Sequence, residues 1–110
     1  MQRLGLTLFA AIGAVLATVP AAAGAAPREF TVVMNNMSYA QVPTDAKVGD
    51  TIIWVNKDTV EHSATARDSS FDLRLLPGKK GRVVLSKAGT IVVSCIMHPM
   101  MRTTLKVAAS

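Results

Sequence analysis

One short segment near the carboxyl end of the chain brings together three kinds of metal-binding side chain. It runs Cys95-Ile96-Met97-His98-Pro99-Met100-Met101, so a thiol, an imidazole and several thioethers lie close together. Thiolate and thioether are soft ligands that favour Cu(I), and imidazole also suits copper. A cysteine, two histidines and a weakly bound axial methionine form the donor set of a copper site that transfers single electrons. The segment can supply three of these four donors and lacks only the second histidine.

The remaining donor has one candidate. The chain contains 2 histidines, so a second imidazole can come only from His62. His62 opens a predicted strand, and a β-sandwich can bring it to the end of the strand that finishes at Cys95. Each residue alone has a more ordinary role, such as a small buried hydrophobe for Cys95 or a solvated loop position for His98. Their combination in one chain favours a copper site.

The amino-terminal residues predict export. Arg3 precedes an apolar stretch over residues 4–19, and a run of small residues follows at 21–26, which is the pattern of a secretory signal peptide. Cleavage after Ala23 or Ala25 leaves a signal peptide at 1–25 and one domain at 26–110. An uncleaved membrane anchor would need about 20 unbroken apolar residues. We therefore expect a periplasmic protein without stable membrane insertion after cleavage.

The cysteine content and the net charge exclude further classes of function. Cys95 is the chain's single cysteine and has no partner for an internal disulfide, so in an oxidising compartment it predicts a metal-bound or reactive thiol. The formal net charge of +5 falls to +4 when Arg3 leaves with the signal peptide. These charges are scattered and form no basic stripe with interleaved aromatics, which argues against nucleic acid. We expect a monomer.

Short β-branched runs separated by turn residues indicate an all-β fold. The predicted strands cover residues 29–34, 46–48, 51–56, 62–66, 81–86, 90–94 and 103–107. The segment 67–80 contains Asp68-Ser69-Ser70 and Pro77-Gly78 and is predicted as a long loop. Strands at this spacing predict a β-sandwich with Greek-key connections.

The segment C-I-M-H-P-M-M resembles the ligand loop of the cupredoxins, in particular the short amicyanin-type spacing C-x-x-H-x-x-M. The resemblance also includes V-G-D-T at 48–51, W-V-N at 54–56, L-P-G-K at 76–79 and A-G-T at 88–90. It implies a cupredoxin fold and one copper ion held by His62, Cys95, His98 and Met101. It further implies a blue-copper electron carrier whose redox partner proteins dock at an apolar patch around His98.

Two positions depart from the family pattern. The family has proline before and asparagine after its first ligand histidine, whereas this chain has Glu61 and Ser63. The asparagine stiffens the site by hydrogen bonds to the cysteine loop, and we expect Ser63 to do so less well. An unsolvated Glu61 carboxylate would favour Cu(II) and lower the reduction potential.

Two other functions compete with electron transfer. The methionine-rich loop and the altered neighbours of His62 are compatible with a periplasmic protein that holds and delivers Cu(I) without redox cycling. An enzyme with Cys95 as nucleophile is disfavoured, because no motif places an acidic residue to orient a histidine base. We therefore predict that the chain is not an enzyme.

Overall fold

The structure is a computed structural model and describes residues 26–110, so the predicted signal peptide lies outside the described residues. In this part of the chain, no helix is long and apolar enough to cross a membrane. The described residues form nine strands: β1 (Glu29–Asn35), β2 (Ser38–Ala40), β3 (Ala46–Lys47), β4 (Thr51–Asn56), β5 (His62–Ala66), β6 (Asp72–Leu75), β7 (Lys80–Val84), β8 (Gly89–Ser94) and β9 (Arg102–Ala108).

The strands form two mixed sheets, in the orders β2-β1-β4-β7 and β3-β9-β8-β5-β6. In the first sheet β1 pairs in parallel with β4, with Val32 opposite Trp54. In the second sheet β8 pairs antiparallel with β9, with Ser94 opposite Arg102. The two sheets make the predicted all-β sandwich.

The core lies between the sheets because alternate side chains of each strand point inward. Val32 and Met34 on β1, with Ile52 and Trp54 on β4, are fully buried. The opposite sheet contributes buried apolar side chains from three strands: Ala64, Ala66, Ile91, Val93, Leu105 and Val107. The Trp54 indole of the first sheet packs toward the second sheet. Its ring centroid lies 6.0 Å from that of Phe71, the residue just before β6.

The predicted long loop at 67–80 is wrong, because its middle forms β6. β6 pairs antiparallel with β5, placing Leu73 opposite Ala64 and Leu75 opposite His62. Two charged residues in four and the flanking turn residues hide this strand in the sequence, and pairing along β5 creates it. The short strand β2 was likewise not predicted.

The predicted site lies where three strands of one sheet end or begin. β8 and β9 are neighbours, so residues 95–101 form the hairpin connection between them. β5 lies on the other side of β8, with Thr65 opposite Ser94. Continuing that antiparallel register brings the beginning of β5 beside the hairpin connection. The sheet therefore carries His62 to the segment that contains Cys95.

Candidate metal centre

The ligand loop, residues 95–101, is folded by its own backbone. The Cys95 amide donates to the Met101 carbonyl at 3.0 Å, which extends the β8–β9 ladder by one pair. The His98 amide donates to the Cys95 carbonyl at 3.2 Å, and the Met101 amide donates to the His98 carbonyl at 2.8 Å. These bonds join all three predicted ligand residues of the loop, so their spacing is fixed by the backbone.

Three donor atoms converge at this loop. The Sγ of Cys95 lies 3.8 Å from the Nδ1 of His62 and 3.5 Å from the Nδ1 of His98. One ligand atom from each of these residues lies within 4.8 Å of the other two. A thiol and two imidazoles at such separations can bind one ion between them. Their chemistry and spacing fit copper.

Met101 is the last residue of the ligand loop. Its side chain is buried at the end of the loop, and it packs within the hydrophobic core with Cys95. Both of its backbone polar groups are bonded to Cys95 or His98. The Met101 side chain is thus sheltered from water in the same core cluster as Cys95.

The family model for the cupredoxin-like domain matches residues 7–107. This chain is a cupredoxin. The match begins inside the predicted signal peptide and extends through the ligand loop to the end of β9, so it includes every residue of the donor cluster.

Known relatives and solved structures agree with this membership. The chain is 32% identical to the methylamine utilization protein MauL of Methylorubrum extorquens over 108 residues, covering 94% of this chain and 91% of the relative. It is 32% identical to amicyanin of Paracoccus denitrificans over 110 residues, covering 88% and 84% of the two chains.

Among solved structures, a reduced amicyanin with a proline-to-phenylalanine substitution has a TM-score of 0.61 and 25% identity, over 72% of this chain and 81% of that one. The purple cupredoxin of Nitrosopumilus maritimus has a TM-score of 0.64 and 21% identity, over 72% and 99%. The predictions of an all-β cupredoxin fold, of a likeness to amicyanin and of one copper ion as cofactor are confirmed at this level.

In this cupredoxin Ser63 ties β5 to the ligand loop through two hydrogen bonds. The Ser63 amide donates to the Sγ of Cys95 at 3.3 Å. Its Oγ accepts from the Ile96 amide at 2.9 Å. The contact with Cys95 is buried, and the contact with Ile96 is partly buried. Serine therefore makes a direct link to the loop where the family has asparagine.

The Ser63 hydroxyl is held in turn by two further polar groups. The Oγ atoms of Ser63 and Thr65 lie 2.8 Å apart, and Thr65 donates its hydrogen to Oδ1 of Asp72 at 2.8 Å. Thr65 has one hydroxyl hydrogen, so Ser63 must be the donor in the first contact. The chain of hydrogen bonds leaves the Ser63 oxygen free to accept from Ile96.

Asp58 is a functional residue that the sequence analysis missed. Its Oδ2 lies 2.7 Å from the Nε2 of His62, whose side chain is fully buried. Hydrogen bonds from the Met37 amide and from His62 lower the pKa of Asp58, so the carboxylate is ionised at neutral pH. An ionised carboxylate only accepts, so Nε2 carries a hydrogen, and Nδ1 is the ring nitrogen that faces Cys95.

The Glu61 carboxylate is not the unsolvated group that the sequence analysis considered, because its side chain is exposed to solvent. The carboxylate that contacts His62 is that of Asp58, four residues before the histidine. Buried Asn56 shapes the intervening loop: its Nδ2 donates to the carbonyls of Val60 and Leu75 at 2.9 Å, and its Oδ1 accepts from the Asp58 amide. No feature of the sequence showed that this loop folds back on His62.

Tyr39 supports the same strand from the opposite sheet. Its hydroxyl donates to the Ser63 carbonyl at 2.6 Å, and its ring contacts Trp54 edge-on at 5.7 Å. Burial, and secondarily the nearby Cys95, raises the pKa of Tyr39, so the phenol keeps its hydrogen. The hydrogen bond is therefore available across the neutral pH range.

The methionines divide between core and surface. Met34 is fully buried in the core, whereas Met100 is 93% exposed. Met97 is 36% exposed and Met37 is 44% exposed. Met37, Met97 and Met100 line one surface depression with His98, Pro99 and Met101. The surface around His98 is thus rich in thioethers.

Proposed function

We propose that this cupredoxin is a periplasmic blue-copper electron carrier in which His62, Cys95, His98 and Met101 hold one ion. The observation that carries the proposal is the convergence of the donor atoms of His62, Cys95 and His98 within 4.8 Å. Bound copper supplies the one-electron Cu(II)/Cu(I) couple. Met101 is assigned the axial position because its buried thioether follows His98 at the amicyanin-type spacing.

The protein's part in this function is to keep the donors in place in both oxidation states. His62 is held by Asp58, and Cys95 accepts from the Ser63 amide. The loop backbone links Cys95, His98 and Met101 through internal hydrogen bonds. Donors fixed in advance need little rearrangement when the charge on the ion changes, which favours rapid electron transfer.

The two imidazoles differ in access to solvent, and this difference suggests the route of the electron. His62 is fully buried, while His98 is only partly buried and borders the surface depression. The exposed side chains beside His98 are apolar. We infer that redox partner proteins dock on this patch and exchange electrons through His98. In this proposal the chain is an exported monomer and catalyses no reaction of its own.

A second function is favoured by a different observation, the group of exposed methionines around His98. Thioethers prefer Cu(I). A protein that receives and delivers Cu(I) would use the same donors without cycling between oxidation states. It would differ from an electron carrier in its response to Cu(II).

Adding Cu(II) to the metal-free protein separates the two functions. An electron carrier becomes intensely blue or green through charge transfer from the Cys95 thiolate, and cyclic voltammetry shows a reversible one-electron wave. The Cys95→Ser variant serves as the control and should show no such band. A delivery protein stays colourless and binds only Cu(I). A colourless wild-type protein without a reversible wave would contradict electron transfer.

A further inference from the structure

Three methionines outside the inner donor cluster share one depression of the surface. Met37 comes from the turn between β1 and β2, while Met97 and Met100 come from the ligand loop. They are called the outer methionines below. Their depression also includes His98, so it adjoins the inner cluster directly.

The position of Met37 requires an unfavourable backbone conformation. Asn36 and Met37 have φ angles of 54° and 59° in the turn that joins β1 to β2. Asparagine and glycine commonly occupy such turns, whereas methionine at positive φ is uncommon. Residues kept in sparsely populated conformations cost free energy and cluster at functional sites. A role of the Met37 side chain would explain why glycine is not used.

Asp58 holds this turn and the inner cluster at the same time. Its Oδ1 accepts from the Asn36 amide at 2.8 Å, and its Oδ2 accepts from the Met37 amide at 2.9 Å. The same Oδ2 accepts from His62. Met37 is therefore fixed relative to the copper donors and does not merely lie near them.

The side-chain chemistry suggests what the depression binds. Leucine could supply the same apolar surface, because Leu and Met exchange with little change in volume. Only methionine adds a soft thioether that selects Cu(I). Met100 leaves almost its whole side chain in water, where its sulfur is available to an incoming ion.

We propose that Met37, Met97 and Met100 form an outer Cu(I) site, from which the ion passes beside His98 to the inner donors. This inference rests on the proposed copper site. The copper keeps its oxidation state during the transfer, the outer thioethers are released, and the Cys95 thiol loses its proton to solvent as it binds the ion. No oxidant or reductant is needed.

The test uses full mature protein carrying methionine labelled with ¹³C in its methyl group, titrated anaerobically with Cu(I). The first equivalent should shift the Met101 resonance. The second should shift the resonances of the outer methionines and leave Met34 unmoved. Competition with a colorimetric Cu(I) chelator gives the number of ions bound.

The variant Met37→Leu/Met97→Leu/Met100→Leu keeps the apolar surface and removes the sulfurs. It should bind the first equivalent, which also shows that it folds, and lose the second. The Met34→Leu control should retain both. A wild-type protein that binds one equivalent only, or a triple variant that keeps the second, would overturn the outer site. Absence of the first equivalent would instead contradict the inner copper site.

Discussion

The Nε2 atom of His62 lies 2.7 Å from the carboxylate of Asp58, on the side of the imidazole opposite Cys95. The Asp58 carboxylate therefore orients the buried His62 ring through the nitrogen that does not face Cys95, an arrangement that is common for ligand histidines. The same carboxylate holds the turn that carries Met37. One partly buried loop residue thus fixes both an inner donor and the backbone turn that carries Met37.

Replacing Asp58 should change the copper affinity and the reduction potential, although Asp58 is not one of the proposed ligands. We expect Asp58→Ala to weaken Cu(II) binding by about 10–100-fold, the usual effect of removing a partner behind a ligand. Loss of an anion disfavours Cu(II), so the reduction potential should rise, by about 59 mV for each tenfold change in the relative affinity for the two states. Cyclic voltammetry measures the shift.

Glu61→Gln is the matched control for Asp58, because it removes a neighbouring carboxylate that is exposed to solvent. Its potential should stay near that of the wild type. An equal rise in both variants would mean that overall charge, and not the contact with His62, sets the effect.

The contrast between Asp58 and Glu61 shows how far the sequence alone predicts this site. The donor residues are apparent because a cysteine, a histidine and methionines lie in one short segment. The predicted strand at 51–56 matches β4, since its β-branched residues sit on both faces of a buried strand. Asp58 is not apparent, because its contact with His62 depends on a loop shaped by buried Asn56.

Strands without an apolar pattern were missed for a related reason. β6 contains Asp72 and Arg74 on one face, and only its pairing with β5 makes it a strand. The positive φ of Met37 is equally invisible in the sequence, because the turn is held by hydrogen bonds that the distant Asp58 carboxylate accepts from the amides of Asn36 and Met37. Local patterns predict most of the sandwich, and long-range polar contacts complete the site.

The hydroxyl of Ser63 should contribute measurably to the stability of the metal-free protein. Ser63→Ala leaves the Ile96 amide without its acceptor in a partly buried contact, and the loss of one such hydrogen bond costs about 1 kcal/mol. Urea unfolding of the metal-free variant measures the loss. Ser38→Ala, which removes an exposed hydroxyl that donates to the Asn35 carbonyl, should stay within about 0.5 kcal/mol of the wild type. Equal stabilities of the Ser63→Ala variant and the wild type would show that the link to the loop is dispensable.

Met101→Leu tests the axial assignment. It removes the thioether while keeping the buried volume, so the protein should retain copper and its colour while the reduction potential changes. Loss of a soft ligand that favours Cu(I) alters the balance between the two states. Met34→Leu, a buried methionine of the core, should leave the potential unchanged. If Met100→Leu shifts the potential and Met101→Leu does not, the axial assignment is wrong.

The hydrogen bonds of Asp50, which is not among the copper donors, predict that the stability of the fold decreases at acidic pH. The Arg28 amide donates to its carboxylate at 2.7 Å and is the main cause that lowers the pKa of Asp50, and the Lys47 amide adds to the effect. A carboxyl whose pKa is lowered by folding stabilises the protein above its unfolded pKa of about 3.9. That contribution is lost as the pH falls through the lower, folded pKa.

Asp50→Asn should therefore be less stable than the wild type at neutral pH. The difference in unfolding free energy, measured with urea, should be constant above about pH 5 and shrink at lower pH, where the wild-type carboxyl becomes protonated. A difference that is unchanged down to pH 2 would contradict the assigned role of the charge.

The convergence of His62, Cys95 and His98 on one ion is tested most directly by X-ray absorption at the copper edge of the loaded protein. We expect two nitrogen neighbours and one close sulfur, and we expect the Cys95→Ser variant to lose that sulfur. A wild-type copper environment of oxygen and nitrogen alone, unchanged by Cys95→Ser, would contradict the site.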